Sequence, residues 1–468
     1  MTLTTPPVDA GAAPVLGVRR RRAVLAICAL SMFLVGLDTT VVNVGLPAIG
    51  AGLGAGTRHL EWIVDAYTVV LAGLLITSGA LADRFGRRRV FRLGLTVFGA
   101  ASLACALAPS AGVLIAARAV QGVGASMLSP VALAIVVNTM TDARERARAI
   151  GVWASVFGLS MAAGPVTGGA LLTAFGWQSL FWINVPVIAA ALVLSKVFVP
   201  ESRAPRHRAL DLPGQILLML VVGLTVALLI EGPHLGWASP SAGAGYLVVT
   251  VGALAFVAVE RRRRAPLMDL ALFRAPAFGA AVLGAVAVFT ALNVTLLLNT
   301  YYLQHTRGLS ALLAGTATLP MALAATVCAP VAGAMVARRG ARRPLVIAAT
   351  ALTAGAAPLT GLGAHTPYPL LLGAYLLIGV GVGFANAPIT NTAVSGLPRE
   401  RAGVAGAITS TARQLGAAIG VAVAGGLVTG QGPGQLARAS HPGWLLVALC
   451  GAALFLVAYT ARRTGADR

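Results

Sequence analysis

The chain alternates between long apolar runs and short polar breaks. Fourteen runs lie near residues 23–48, 60–82, 90–108, 112–137, 149–174, 178–199, 214–230, 243–259, 277–302, 312–336, 344–363, 368–393, 403–429 and 443–461. A helix rises 1.5 Å per residue, so about 20 apolar residues cross a ~30 Å hydrocarbon core. Each run therefore predicts one membrane-spanning helix, and the expected fold class is an all-α membrane protein. Composition agrees: 57% of the 468 residues are hydrophobic and only 10% are charged, where a soluble domain carries roughly 25%. Mean hydropathy is +0.85. A soluble globular class is excluded.

A net charge of +21 raises the question of a polyanionic partner. Placement answers it. All but five of the 35 basic residues fall in or beside breaks on one side of the predicted membrane; the exceptions are Arg58, Arg307, Arg438, Arg118 and Arg413. That is the positive-inside pattern, so the charge encodes topology and predicts no nucleic-acid partner. It places both termini in the cytoplasm and the protein in the cytoplasmic (inner) membrane. The segment Met1–Val18 is rich in Pro, Ala and Gly and is expected to be disordered. The run after Arg19–Arg22 is too long for a signal-peptide core, so a retained first span is expected.

Cys28, Cys105, Cys328 and Cys450 all fall inside runs, which implies small apolar packing groups and no disulfide framework. Five of the six histidines (His59, His234, His305, His365, His441) are scattered over separate breaks, so no metal site is expected. The single lysine, Lys196, follows Ser195, which excludes a phosphate-binding G-x-x-x-x-G-K-[ST] loop. The glycines at Gly379–Gly383 lie inside a run with no strand before them and suit helix packing instead. No cofactor and no ATP hydrolysis are expected.

The sequence repeats itself. "GALADRFGRRR" (Gly79–Arg89) returns as "GAMVARRGARR" (Gly333–Arg343), an offset of 254. "RERA" at Arg144–Ala147 returns at Arg399–Ala402, and "GVGASMLSP" at Gly122–Pro130 returns loosely at Gly379–Pro388, offsets of 255 and 257. Matches in one order on one side imply two parallel six-helix bundles, a transporter arrangement. The expected domains are a basic tail (1–22), a first bundle (23–199), a linker with two extra helices (200–276), a second bundle (277–462) and a short tail (463–468). The copies differ in chemistry. Asp83 aligns with Ala337; Arg118 and Gln121 have no polar counterparts near Leu372–Ile378; Asp38, Glu61 and Asp65 also lie in the first half. Proton or cation chemistry is expected there.

These residues carry a resemblance to the major facilitator superfamily, and within it to the fourteen-helix drug:proton antiporters. "LDTTVVNVGLP" (Leu37–Pro47) resembles their first-helix motif, "GALADRFGRRR" the loop motif after helix two and "RAVQGVGAS" (Arg118–Ser126) the fourth-helix motif. "GPVTGG" (Gly164–Gly169) is similar to the fifth-helix antiporter motif, and "WQSLFWINVP" (Trp177–Pro186) and "ARQLGAAIG" (Ala412–Gly420) are also family-like. The likeness spans residues 20–462 and implies an alternating-access transporter rather than an enzyme. Two departures stand out: the second loop copy is degenerate, and no acid lies between Gly279 and Arg338. Some relatives use an acid there for doubly charged drugs, so no such preference is implied here.

Individual residues then acquire expected roles. Asp38 sits sixteen residues beyond Arg22, ~24 Å along a helix, at a depth shared with Asp65 and Arg118. A buried carboxylate beside a guanidinium is pulled between desolvation and the cation, which suits Asp38, Asp65 and Arg118 to proton and substrate coupling. Glu61, near the interface, reads as a solvated cap. Asp83, with Gly79, Arg84, Gly86, Arg87 and Arg88, reads as a gating latch facing the N-terminus of helix thirteen, an idea the resemblance supports. Gly164, Pro165, Gly168 and Gly169 combine a mid-helix proline with small residues, a bend or close contact suited to export. Asn43, Gln121, Arg413 and Gln414 are cavity candidates, with Arg413 expected inside the bundle. Phe33, Tyr67, Trp153, Phe157, Tyr301 and Tyr302 are aromatic candidates for stacking planar drugs.

The expected function is proton-driven export of amphipathic drug-like or antibiotic molecules by a monomer in the lipid bilayer. A same-fold exporter of an amino acid or sugar is the nearest alternative, and a non-transporting membrane sensor a more distant one.

Overall fold

The computed structural model describes residues 17–140, 142–203, 211–263, 266–394, 399–432 and 434–461. Both expected tails therefore lie wholly or mostly outside the described residues. The chain is nearly all helix. The first half is α1 (Val18–Leu53), α2 (Thr57–Phe85), α3 (Arg87–Ala106), α4 (Ala111–Thr139), α5 (Ala143–Phe175) and α6, in two pieces, Ser179–Trp182 and Asn184–Phe198. Two helices follow, α7 (Leu212–Leu235) and α8 (Pro240–Arg262). The second half is α9 (Pro276–Tyr301), α10 (Ala311–Ala317 and Leu319–Arg339), α11 (Arg342–Ala356), α12 (Tyr368–Val394), α13 (Arg399–Val428) and α14 (His441–Thr460). Among the described residues 13 helices are long and apolar enough to cross a membrane, and α5 adds the shorter apolar piece Ala163–Phe175.

Local chemistry sets many helix starts. Ser110, Asp142, Asp211, Ser239 and Ser310 each accept a hydrogen bond from the backbone N–H three residues on, satisfying a donor the helix leaves unpaired. The runs themselves follow apolar length, because in lipid every backbone polar group must be paired within the segment.

Packing reproduces the sequence repeat. In the first half α1 packs on α5, α2 and α3 on α4, and α3 on α6. In the second, α9 packs on α13, α10 and α11 on α12, and α11 on α14. The halves meet along two seams, α2 against α13 and α5 against α10. Helix α7 lies against both α2 and α13 and carries α8 on its far side. It is stitched to α2: Gln215 Nε2 donates to the Gly73 carbonyl at 2.6 Å, Thr77 donates to Gln215 Oε1, and Arg58 pairs with Glu231 at 2.7 Å.

Candidate functional site

The densest polar cluster lies inside the first bundle. Asp38 on α1 and Arg118 on α4 are each 1% exposed. Arg118 Nη1 donates to Asp38 Oδ2 at 2.5 Å and to Gln121 Oε1 at 2.6 Å. The other carboxylate oxygen accepts from Gln121 Nε2 at 2.9 Å and from Asn184 Nδ2 at 3.0 Å. Ser102 Oγ holds the Gln121 amide at 2.9 Å. Arg118 Nε donates to the Ile63 carbonyl at 3.0 Å, and the guanidinium carbon stands 4.2 Å from the Tyr67 ring centroid. Five helices thus pin one ion pair, and both charges are solvated by protein groups. Apart from Asp38 and Arg118, every side chain named here is neutral. Removing charge from Asp38 would leave Arg118 with two other acceptors, so the pair has a second arrangement to fall into.

Asp65 does not join this cluster. It is fully buried, and among the described residues neither of its carboxylate oxygens has a hydrogen-bond partner. Glu61, one turn earlier on α2, is not the solvated cap its sequence position suggests. It is 3% exposed and presses on α13, where a Cβ built on Gly425 would collide with its carboxylate. The physical reason is tertiary: α7 and α13 cover the end of α2, which length and hydropathy do not reveal.

The α5 seam is built from glycine. Gly164 faces Thr40 and Gly168 faces Val41, so α5 lies tight on α1. Gly169 turns to the other half, where a Cβ would stand 2.7 Å from the Ala311 carbonyl oxygen; reciprocally, a Cβ on Gly315 would collide with the Pro165 carbonyl. Beside this contact Gln304 Nε2 donates to the Val44 carbonyl at 3.0 Å. Asn43, Thr40, Pro165, Thr300 and Gln304 border a cavity of about 20 Å³. Asn43 donates to the Thr39 carbonyl at 3.3 Å, and its Oδ1 has no partner among the described residues.

Two parallel halves, charge concentrated in the first and glycine-lined seams between them narrow the choice of family, and comparison settles it. Residues 28–421 match the family described as Major Facilitator Superfamily. The chain belongs to that superfamily. It is 38% identical over 399 residues to the multidrug resistance protein Stp of Mycobacterium tuberculosis (strain CDC 1551 / Oshkosh), covering 85% of this chain and 74% of that one. It is 38% identical over 396 residues to the methylenomycin A resistance protein of Streptomyces coelicolor, covering 83% and 82%. Among solved structures, a peptide transporter in complex with sulfate superposes with a TM-score of 0.69 over 97% of this chain and 98% of that one, at 18% identity. That likeness concerns the fold. As a member of the major facilitator superfamily the protein is a multi-pass membrane transporter rather than an enzyme.

The superfamily loop between α2 and α3 is tightly made. Asp83 Oδ1 accepts from Arg87 at 2.9 and 3.2 Å within the motif. Gly86 has φ +109°, and a Cβ there would stand 2.6 Å from Glu201 Oε1. Glu201 accepts from the Arg88 backbone N–H at 3.1 Å and lies 3.9 and 3.8 Å from the Arg88 and Arg89 side chains. Gly79 has open space where a Cβ would project, and Arg84 stands 5.4 Å from the Phe85 ring. The side chains at the start of α13, which the latch would face, lie outside the described residues, as do those of Trp153 and Phe157. Gly86→Ala is expected to destabilise the protein by about 1–3 kcal/mol, since that backbone region is essentially open to glycine alone. A lower Tm of the purified protein checks this, and an unchanged Tm would remove the argument.

In the second half of this transporter Arg413 donates to Thr390 Oγ1 and stands 6.0 Å from the Phe289 ring, while Gln414 is half-buried. Tyr302 is buried and donates to the Gly363 carbonyl at 2.9 Å, and Tyr301 stacks on His305. Sequence reasoning missed Asn184, Ser102 and Glu201 as members of these sites. An amide inside an apolar run is the signal that marks Asn184; a charge at the end of α6 marks nothing until the loop folds back on it.

Proposed function

We propose that the protein is a proton-coupled exporter of amphipathic drug-like or antibiotic molecules, a monomer in the cytoplasmic membrane with both termini inside. The proposal divides it at 23–199 and 277–462, with 200–276 as an inserted helical pair. The reading rests above all on one observation: a carboxylate and a guanidinium, each 1% exposed, are closed inside one half of a two-half transporter. Such a pair is strongly disturbed when either charge is neutralised. A proton on Asp38 releases Arg118 toward Gln121 and the Ile63 carbonyl, and that shift biases the packing of α1 on α4. Asp65 offers a second carboxylate that a proton or a cationic cargo can occupy. Export rather than uptake is supported by the named relatives, which are resistance proteins.

In this scheme the Arg-rich loop faces the cytoplasm, and Asp83 with Arg84, Arg87, Arg88, Gly79 and Gly86 forms the inner latch. The contacts of Gly169 and Gly315 seal the outer face. Asn43, Gln121, Arg413 and Gln414 line or adjoin the path of the cargo.

Protein reconstituted into vesicles is expected to move a fluorescent cationic drug on an imposed pH gradient with no nucleotide present. Drug movement that needs ATP, or that ignores the gradient, rejects the energetics.

A further inference from the structure

Three contacts close the face opposite the Arg-rich loop: Gln304 on Val44, Gly315 and Gly169 across the α5–α10 seam, and Glu61 on Gly425 across the α2–α13 seam. The first two are made by an amide and by glycines and backbone. The third is different, because a titratable side chain forms its surface. Glu61 is 3% exposed, its Oε2 has no hydrogen-bond partner among the described residues, and its other oxygen faces the bare backbone of Gly425. Asp65, one turn deeper on the same helix, is fully buried, with both oxygens unpartnered among the described residues.

Among the described residues Glu61 makes no ion pair, and the charge it feels is of its own sign. From α7 it feels Glu231, which is already paired with Arg58 at 2.7 Å and accepts from Trp62 Nε1 at 3.3 Å. From α9 its titratable neighbour is Tyr301. On its own helix stand Arg58, committed to Glu231, the exposed His59, and Asp65. The described part of α13 beside it contributes Gly425; Arg413, the basic side chain of that helix within the membrane, is twelve residues away, ~18 Å along the axis. An ionised carboxylate pressed into such a contact holds one oxygen away from water with no donor among the described residues, whereas a neutral carboxyl fits it. When the seam opens, water reaches the group and the charge is tolerated.

We propose that Glu61 is a proton-operated seal of the outer face: the α2–α13 seam shuts when Glu61 carries a proton and opens when it releases one. The inference builds on the proton-coupled reading above but concerns a different residue and a different step. Asp38 stores the coupling proton inside one bundle; Glu61 sits between the bundles and lets external protons decide whether the outer side closes. Gly425 is the matching half of the device, since the carboxyl group can lie on α13 only where no side chain stands.

The test places spin labels on Gly56→Cys and Gln431→Cys, at the outer ends of α2 and α13, in full-length protein lacking its native cysteines and held in lipid nanodiscs. Electron–electron distance measurements are made at about pH 5 and at about pH 9, so that the supply of protons to the outer face is what differs. The wild-type pair is expected to move from a short to a long separation as pH rises. Glu61→Gln, which keeps the shape and loses the charge, is expected to stay short at both, and Glu61→Asp to keep the swing. Gly425→Ala, which puts a Cβ where the carboxyl lies, is expected to favour the long separation even at low pH. An unaltered swing in Glu61→Gln, no swing in the wild type, or a swing driven by sodium at fixed pH each overturns the proposal. Failure of the general reading looks different: drug movement indifferent to the pH gradient, with the Glu61-dependent swing intact.

Discussion

Asp38→Asn is expected to reduce pH-gradient-driven drug movement to background, a drop of at least about 100-fold, while the protein still inserts and purifies. The substitution preserves volume and retains one oxygen, yet it removes the carboxylate that accepts from Arg118 Nη1 at 2.5 Å. Breaking a buried ion pair by neutralising one partner costs about 3–5 kcal/mol. Here part of that cost is offset by Gln121 Oε1 and the Ile63 carbonyl, which still accept from the guanidinium. The fold should therefore survive, held in the arrangement that protonated Asp38 would adopt. Substrate should still bind, and exchange should stop. Proteoliposome transport with a drug-binding measurement on the same preparation separates these outcomes. Normal gradient-driven movement by the variant would dismiss Asp38 from coupling. Arg118→Lys makes a useful companion, because an ammonium cannot reproduce the fork that reaches Asp38, Gln121 and Ile63 at once.

Gly315→Leu is expected to abolish transport by a different route. A side chain at this position meets the Pro165 carbonyl of the opposite half, backbone that cannot swing aside. Overpacking a tight contact costs about 1–3 kcal/mol. Because only the closed arrangement carries that cost, even about 2 kcal/mol shifts the balance between open and closed forms roughly 30-fold. The face opposite the Arg-rich loop should then stay open, and a membrane-impermeant thiol reagent should label Val44→Cys, in a cysteine-free background, faster than in the parent. Unchanged labelling with unchanged transport would show that the α5–α10 contact does not gate. Gly169→Leu, on the other side of the same contact, should behave alike.

How far these sites can be read from sequence depends on the range of the interaction. The helices are legible because apolar length and cap residues are local: the expected 60–82 is Thr57–Phe85 and the expected 368–393 is Tyr368–Val394. The break at Ile183 inside the sixth run and the one at Thr318 inside the tenth are not legible, since hydropathy passes through both unchanged. Asp38, Arg118 and Gln121 announce themselves as charge or amide where lipid is expected, so their meeting is foreseeable in kind. Ser102 and Asn184 complete the cluster from distant helices; Asn184 is marked only as an amide in an apolar run, Ser102 by nothing, and neither stretch says which helix it will meet. Glu61 marks the limit most clearly. A carboxylate at the end of an apolar run reads as solvated because water ordinarily waits there, and only the arrival of α7 and α13 reverses it. Glu201 is similar: its place behind Gly86 exists only once the chain after α6 returns to the loop.

The inserted helix α7 has a consequence of its own. In a two-bundle transporter the line where α2 meets α13 would otherwise run open to the hydrocarbon along its flank. Here α7 lies along that line like a gasket, buttoned to α2 by Gln215 and Glu231 while resting on α13. A carboxylate such as Glu61 can therefore sit at the joint without meeting acyl chains, and in the rocking proposed above the bonds to α2 would carry α7 with that helix. The extra pair of helices is thus weatherproofing for an acidic joint as much as a tether between the two halves.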